Sequence, residues 1–308
     1  MEVALRLDAV LGEGPRWDAA RGRLLAVDIE GRVLHRLDPG TGEDRPLELG
    51  ERVGVAMPVE GGGLLLALER RLAVLDEATD TLRTVAKFPH GEGVRTNDGA
   101  CDPAGRFFVG TMALDERPGG GALYRLTPGE GLELVCGAAT ISNGLGWSPD
   151  GRRMYYVDSP TRRVDVFAFD PESGRLGGRE TFARIAEADG IPDGLTVDDE
   201  GGVWVALYGG GAVRRFRPDG ELDRVLGVPA TNVTACCFGG ADGGSLFVTT
   251  ARQGLAEAEL GREPLAGSVF VTEAGVAGPP ARPFVPDGAH TGGTRSTAPS
   301  EADETSAR

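Results

Sequence analysis

The chain has 308 residues, room for one large domain or two average ones, and a net charge of −15. That charge repels nucleic acid and anionic membrane surfaces, and no apolar run approaches the roughly 20 residues needed to span a bilayer. Glycine (49) and proline (20) are abundant, apolar runs are short, and no window keeps a helical period: the profile of an all-β protein with many tight turns.

In chain order, the N-terminal stretch "MEVALRLDAVLGEGP" lacks a basic segment followed by an apolar core, so a cytoplasmic chain without a signal peptide is expected. A phrase then recurs. "EGPRWD" begins at Glu13, "VAMPVE" at Val55, "NDGACD" at Asn97, "NGLGWS" at Asn143, "DGLTVD" at Asp193 and "TACCFG" at Thr234, at intervals of 42, 42, 46, 50 and 41 residues. Most copies lead into a Gly-rich turn ("DPAGR", "SPDGR", "DDEGG"), an apolar strand ("FFVGT", "MYYVD", "VWVAL") and further strands such as "ALYRLTP" or "VDVFAFD". Six units of this length, each with four short strands, predict a six-bladed β-propeller with four antiparallel strands per blade. The last unit is incomplete and "VALRLDAVLG" precedes the first, so the N-terminal strand is expected to complete the last blade and close the ring. One propeller domain is expected over residues 1–285. The remainder, 286–308, is rich in Gly, Ser, Thr, Pro and charge and reads as a disordered tail.

In a propeller the innermost strands line the central channel, and the residue just before each is expected at the channel mouth. Those positions hold Glu13, Val55, Asn97, Asn143, Asp193 and Thr234. Taken singly, Asn143-Gly144 and Asp193-Gly194 read as tight turns in which Gly takes positive φ. Taken together, two carboxylates and two amide oxygens aimed at one axis would repel unless a cation lay between them. Oxygen donors suit Ca²⁺, Mg²⁺ or Mn²⁺, and Zn²⁺ or Fe²⁺ remain open. None of His35, His90 and His290 is axial, and Trp17 and Trp147 read as core between blades. The four cysteines (Cys101, Cys136, Cys236, Cys237) have neither metal-site nor disulfide spacing and read as reduced thiols, the adjacent pair as packing. There is no G-x-S-x-G elbow.

The phrases "GEGPRWD", "RTNDGACDPAGRFFVGTM", "ISNGLGWSPDGRRMYYVDS" and "GIPDGLTVDDEGGVWVALYGGG" resemble the gluconolactonase, regucalcin and senescence-marker-protein family of six-bladed propellers, in that family's order. The resemblance implies one divalent metal, Ca²⁺ first among Zn²⁺, Mn²⁺, Mg²⁺ and Fe²⁺, held by Glu13, Asn143 and Asp193. It places Arg95 and Asn97 on the substrate, with an acidic contact after "GTMA" that falls by position on Asp115, next to Glu116. The implied activity is hydrolysis of a sugar lactone to its aldonic acid, part of carbohydrate metabolism. Asp193 would serve as ligand and base, with a metal-bound hydroxide as the rival base. The expected partner is a small-molecule lactone rather than nucleic acid or membrane. A calcium-binding regulatory propeller, a related metal-dependent esterase and an interaction scaffold are the alternative readings.

Overall fold

The computed structural model describes residues 1–286 and is nearly all β. Six antiparallel sheets stand around one axis as the blades of a propeller, each built on a four-strand path. In blade 1 the outer strand is broken into two short pieces, Glu43–Asp44 and Leu47–Glu48, which both pair with Val33–Asp38. The inner strands of blades 1 to 6 are Gly12–Asp18, Val53–Pro58, Val94–Cys101, Ser142–Trp147, Ile191–Val197 and Val233–Gly239. As expected, the N-terminal strand Glu2–Leu5 pairs antiparallel with Val269–Glu273 and completes blade 6. The expected disordered tail falls outside the described residues, apart from Pro286. Among the described residues no helix is long and apolar enough to cross a membrane.

Burial falls from the axis outward. Second strands such as Leu64–Leu68 and Phe107–Ala113 are buried throughout, while the outer strand Thr81–Lys87 is largely open. A strand covered on both faces by neighbouring blades has no polar face, so it reads as a continuous apolar run. The tryptophans fill gaps between blades, as expected. Trp17 stacks on Phe247, with ring centroids 5.6 Å apart, and Trp147 meets Phe108 and Phe169 edge-on. All four cysteines are free, with Cys236 and Cys237 in the core.

Two details of the inner strands differ from expectation. The axial residues lie within the strands, not before them: Glu13 and Asn143 are second, Asp193 is third and Asn97 fourth in its strand. In each inner strand the register with the second strand slips at or beside the axial residue, for example between Glu13 and Arg16 and between Pro192 and Leu195. The same slip occurs in blades 2, 3, 4 and 6. One extra residue in a strand is a β-bulge, which re-aims a side chain locally.

The second difference concerns glycine. Gly144 and Gly194 are extended strand residues without positive φ, so neither forms the expected turn. Their role is close approach. A Cβ on Gly194 would lie 2.4 Å from the Cβ of Ala235 in blade 6, and one on Gly144 would lie 2.5 Å from the carbonyl oxygen of Asp193 in blade 5. Six strands converging on an axis leave no room there for a side chain.

After blade 6 the chain crosses the far face of the ring. The Ala277 carbonyl accepts from the Asp199 amide of blade 5 at 2.9 Å. Across the diameter, Phe284 exchanges backbone bonds of 2.8 Å with Pro58 and Glu60 of blade 2, and the Val285 amide donates to Gly105 of blade 3 at 3.1 Å. This strap is a second closure of the ring.

Candidate functional site

The bulged ends of the inner strands open on a pocket of about 170 Å³ at the near mouth of the channel. Glu13, Arg95, Asn97, Asn143 and Asp193 line it together, although they come from four blades. All five are more than nine-tenths buried. Leu11, Ile141, Ile191 and Met112 form an apolar collar, and Tyr208, Gln253 and Glu116 complete the wall.

Hydrogen bonding divides the axial donors into two kinds. The Asn97 Oδ1 accepts from Arg95 Nη1 at 2.6 Å, and its Nδ2 donates to the Ser142 carbonyl at 3.1 Å. Both ends of that amide are therefore committed. Asn143 donates from Nδ2 to the Ser159 hydroxyl at 3.1 Å, which turns its Oδ1 away from that partner. The Asn143 Oδ1 and the Asp193 Oδ1 are buried without any hydrogen-bond partner. Glu13 Oε2 accepts only from the amide of Gly14, at 3.0 Å. Buried acceptors are almost always paired, so two orphans in one pocket mark a missing donor or cation.

The electrostatics agree. Burial, then the nearby Asp98 charge, pushes the Glu13 carboxyl up to about 8. Burial, then Glu13 and Asp98, pushes Asp193 well above the carboxylate range. Carboxylates that repel in a dry pocket take up a proton unless a cation neutralises them. Burial likewise lowers Arg95, against the pull of Glu30 and Glu13. Among the described residues no group of three or more His, Cys, Asp or Glu gathers into a metal site. The axial set has two carboxylates and an amide oxygen, a hard-oxygen set that fits Ca²⁺ or another hard divalent ion with water completing the shell.

Asp115 lies elsewhere. It is exposed, and its Oδ1 accepts from Arg117 Nη1 at 2.8 Å. Its neighbour Glu116 turns into the pocket wall instead, from a left-handed backbone conformation with φ of 53°. Non-glycine residues in this region are uncommon and gather at functional loops.

The sequence reading missed the layer beneath. Arg16, three residues after Glu13, reaches across the channel to Asp98 at 2.6 Å and to the Gly99 carbonyl at 2.9 Å. Both partners are buried, so the pair fixes the floor of the pocket, and the Asp98 charge acts on Glu13 and Asp193 above it. The signal was present as an Arg in "EGPRWD" and an Asp in "NDGACD", polar residues on strands whose neighbours are all buried.

Comparison with known proteins adds to this geometry. Residues 11–252 match the family described as SMP-30/Gluconolactonase/LRE-like region. Regucalcin of Gallus gallus is 38% identical over 282 residues, covering 89% of this chain and 94% of that protein. YvrE of Bacillus subtilis, provisionally named a sugar lactone lactonase, is 35% identical over 93% of this chain and its own full length. The crystal structure of a calcium-binding protein, regucalcin, from Agrobacterium tumefaciens superposes with a TM-score of 0.88 at 30% identity, over 92% of this chain and 96% of that one.

Proposed function

The chain belongs to the SMP-30/gluconolactonase/LRE-like family, a lactonase family, and from that premise we propose that it hydrolyses a sugar lactone resembling gluconolactone with the help of one divalent cation. The observation that carries this reading is the pair of orphaned oxygens, Asn143 Oδ1 and Asp193 Oδ1, beside Glu13 in a pocket that also holds Arg95. Glu13, Asn143 and Asp193 would hold the ion, with Ca²⁺ favoured by the hard oxygen donors. When bound, the ion supplies Lewis-acid polarisation of the lactone carbonyl.

The chain's own groups do the rest. Asp193 accepts a proton from the attacking water as its oxygen bonds to the carbonyl carbon. The bond to the ring oxygen then breaks and that oxygen takes the proton, leaving the aldonic acid. Arg95, fixed by the Thr96 carbonyl at 3.0 Å and by Asn97, has guanidinium hydrogens left to donate to sugar hydroxyls. Glu116, rather than Asp115, is the acid that would accept from a sugar hydroxyl. The apolar collar limits water around the ring.

The test is proton release from gluconolactone, xylonolactone and galactonolactone in a pH-stat, with metal-stripped protein and with Ca²⁺, Mn²⁺, Zn²⁺ or Mg²⁺ restored. Metal-dependent turnover above the spontaneous rate is the expected result. Tight metal binding with no turnover on any lactone would leave a calcium-binding regulatory protein instead, the role that the name regucalcin suggests for relatives of this chain.

A further inference from the structure

Away from the axis, on the same face of the ring as the pocket, blade 2 carries a depression of about 340 Å³ lined by Glu51, Arg70, Arg71, Lys87, Phe88 and His90. The turn that bears Arg70 is tied to the strand of the candidate site. The Thr96 amide donates to the Glu69 carbonyl at 3.3 Å, and the Thr96 hydroxyl donates to Ala67 and Leu68 at 2.9 and 3.2 Å. Thr96 stands between Arg95 and Asn97, so hydrogen bonds to the backbone link the depression to the pocket.

The local charge runs against that of the chain, which is −15 overall. Three permanent cations face one carboxylate. That carboxylate, Glu51, is already taken by Arg71 through Nη2 at 2.6 Å and Nε at 3.1 Å. Arg71 is further held by the Thr84 hydroxyl at 2.7 Å. The nearby Glu69 is turned to Arg52 at 3.3 Å. Arg70 and Lys87 are exposed and make no ion pair among the described residues. His90 is stacked on Phe88 with centroids 5.1 Å apart, and its Nε2 is buried without a partner. Phe88 is itself buried and clamped edge-on by Tyr124, so the imidazole is held in one orientation.

We infer that this depression binds a phosphoryl group, with Arg70 and Lys87 as the charged contacts. Arginine and lysine are donors that suit a tetrahedral dianion, and charge-assisted bonds of this kind are the strong ones. The group can arrive on a phosphorylated sugar lactone, which rests on the lactonase reading above, or as free phosphate.

Lys87 is the only lysine in the chain, which gives a site-specific readout independent of turnover. Lys87 and the N-terminal amine would be acetylated with an N-hydroxysuccinimide ester and followed by mass spectrometry, the N-terminus serving as internal reference. Inorganic phosphate and glucose 6-phosphate should slow modification of Lys87 several-fold relative to the N-terminus. Glucose, or chloride at matched ionic strength, should not. Arg70→Ala should abolish the protection while leaving turnover of unphosphorylated gluconolactone unchanged. With that protection established, a KM for 6-phosphogluconolactone raised about tenfold in Arg70→Ala, the cost of one charge-assisted contact, assigns the site to the substrate. An unchanged KM assigns it to free phosphate. Equal protection by chloride, or none by phosphate, overturns the proposal whether or not the protein is a lactonase.

Discussion

Four of the six inner strands carry a polar residue near each end, five residues apart, and on blade 5 the two are treated in opposite ways. At the near end stand Glu13, Asn97, Asn143 and Asp193, and at the far end Asp18, Asp102, Ser148 and Asp198. Asp198 is fully buried and fully used. Its Oδ1 accepts from the amides of Glu200 and Gly202, and its Oδ2 from Trp204 Nε1 and Arg215 Nε, all at 2.7–3.0 Å. Asp102 closes the corresponding turn in blade 3 with two amides and Arg106 Nε. Asp193, five residues before Asp198 and on the strand that Asp198 follows, keeps an oxygen with no partner. Burial is common to both ends. On this blade the two acids differ in whether the fold supplies their hydrogen-bond partners.

The contrast is sharpest on blade 5. Asp193→Ala should lower metal affinity and lactone turnover by more than about a hundredfold, beyond the 10–100-fold usual for a partner behind a metal ligand. Calorimetric metal titration and the pH-stat would measure it. The metal-free protein should unfold at the same temperature as the parent or higher, because a repelling buried carboxylate has gone. A large loss of metal-free stability in this variant would break the comparison.

Asp198→Ala should do the reverse. It strands the Arg215 Nε, the Trp204 indole and two amides, while Arg215 keeps Asp223 and Glu200, and should cost about 3 kcal/mol in denaturant unfolding. Molecules that remain folded should bind metal with unchanged affinity.

Acidity offers a third cut. Glu13 has its carboxyl raised from 4.5 to about 8 on folding, and Asp193 shifts the same way. A raised acid stabilises the fold below its unfolded value, and that contribution is lost as pH rises through the folded one. The metal-free protein should therefore lose stability between about pH 4.5 and 8. Metal should restore it most strongly at the upper end and release protons on binding. A stability flat across this window in the metal-free protein would mean that neither burial nor repulsion raises the two groups.

The smallest effect is expected where the axial position is already satisfied. In blade 6, Thr234 donates to the Gly12 carbonyl at 2.6 Å and pairs with the Thr249 hydroxyl at 2.9 Å. Thr234→Val should cost about 1 kcal/mol of stability and leave metal binding unchanged. In blade 2 the position is Val55, wholly buried, which offers no donor at all.

Much of the fold and part of the site were legible as text. Repetition of "NGLGWS" and "DGLTVD" at intervals of 41–50 residues encodes a rotation, and rotation alone brings Glu13, Asn97, Asn143 and Asp193 to one axis. The strap to Val285 was not legible, because a single crossing has no repeat to announce it. Nor was the placement of Glu116, and not Asp115, in the pocket wall, where Glu116 has a left-handed backbone in a loop of the third blade.

The sequence by itself thus determined the ring, its closure by the N-terminal strand and the positions that face the channel, since these follow from periodicity and patterning along the chain. Only the tertiary structure decided which of those positions stay chemically free. Asn97 is spent on Arg95 and on Ser142 of the next blade, while Asn143 is steered by Ser159 so that its oxygen is left open. Gly194 proves to be a point of contact with Ala235 rather than a turn. Some of these assignments rest on partners drawn from other blades, 45 residues away for Ser142 and 82 for the Arg16–Asp98 floor. Proximity of that kind exists only once the ring has closed.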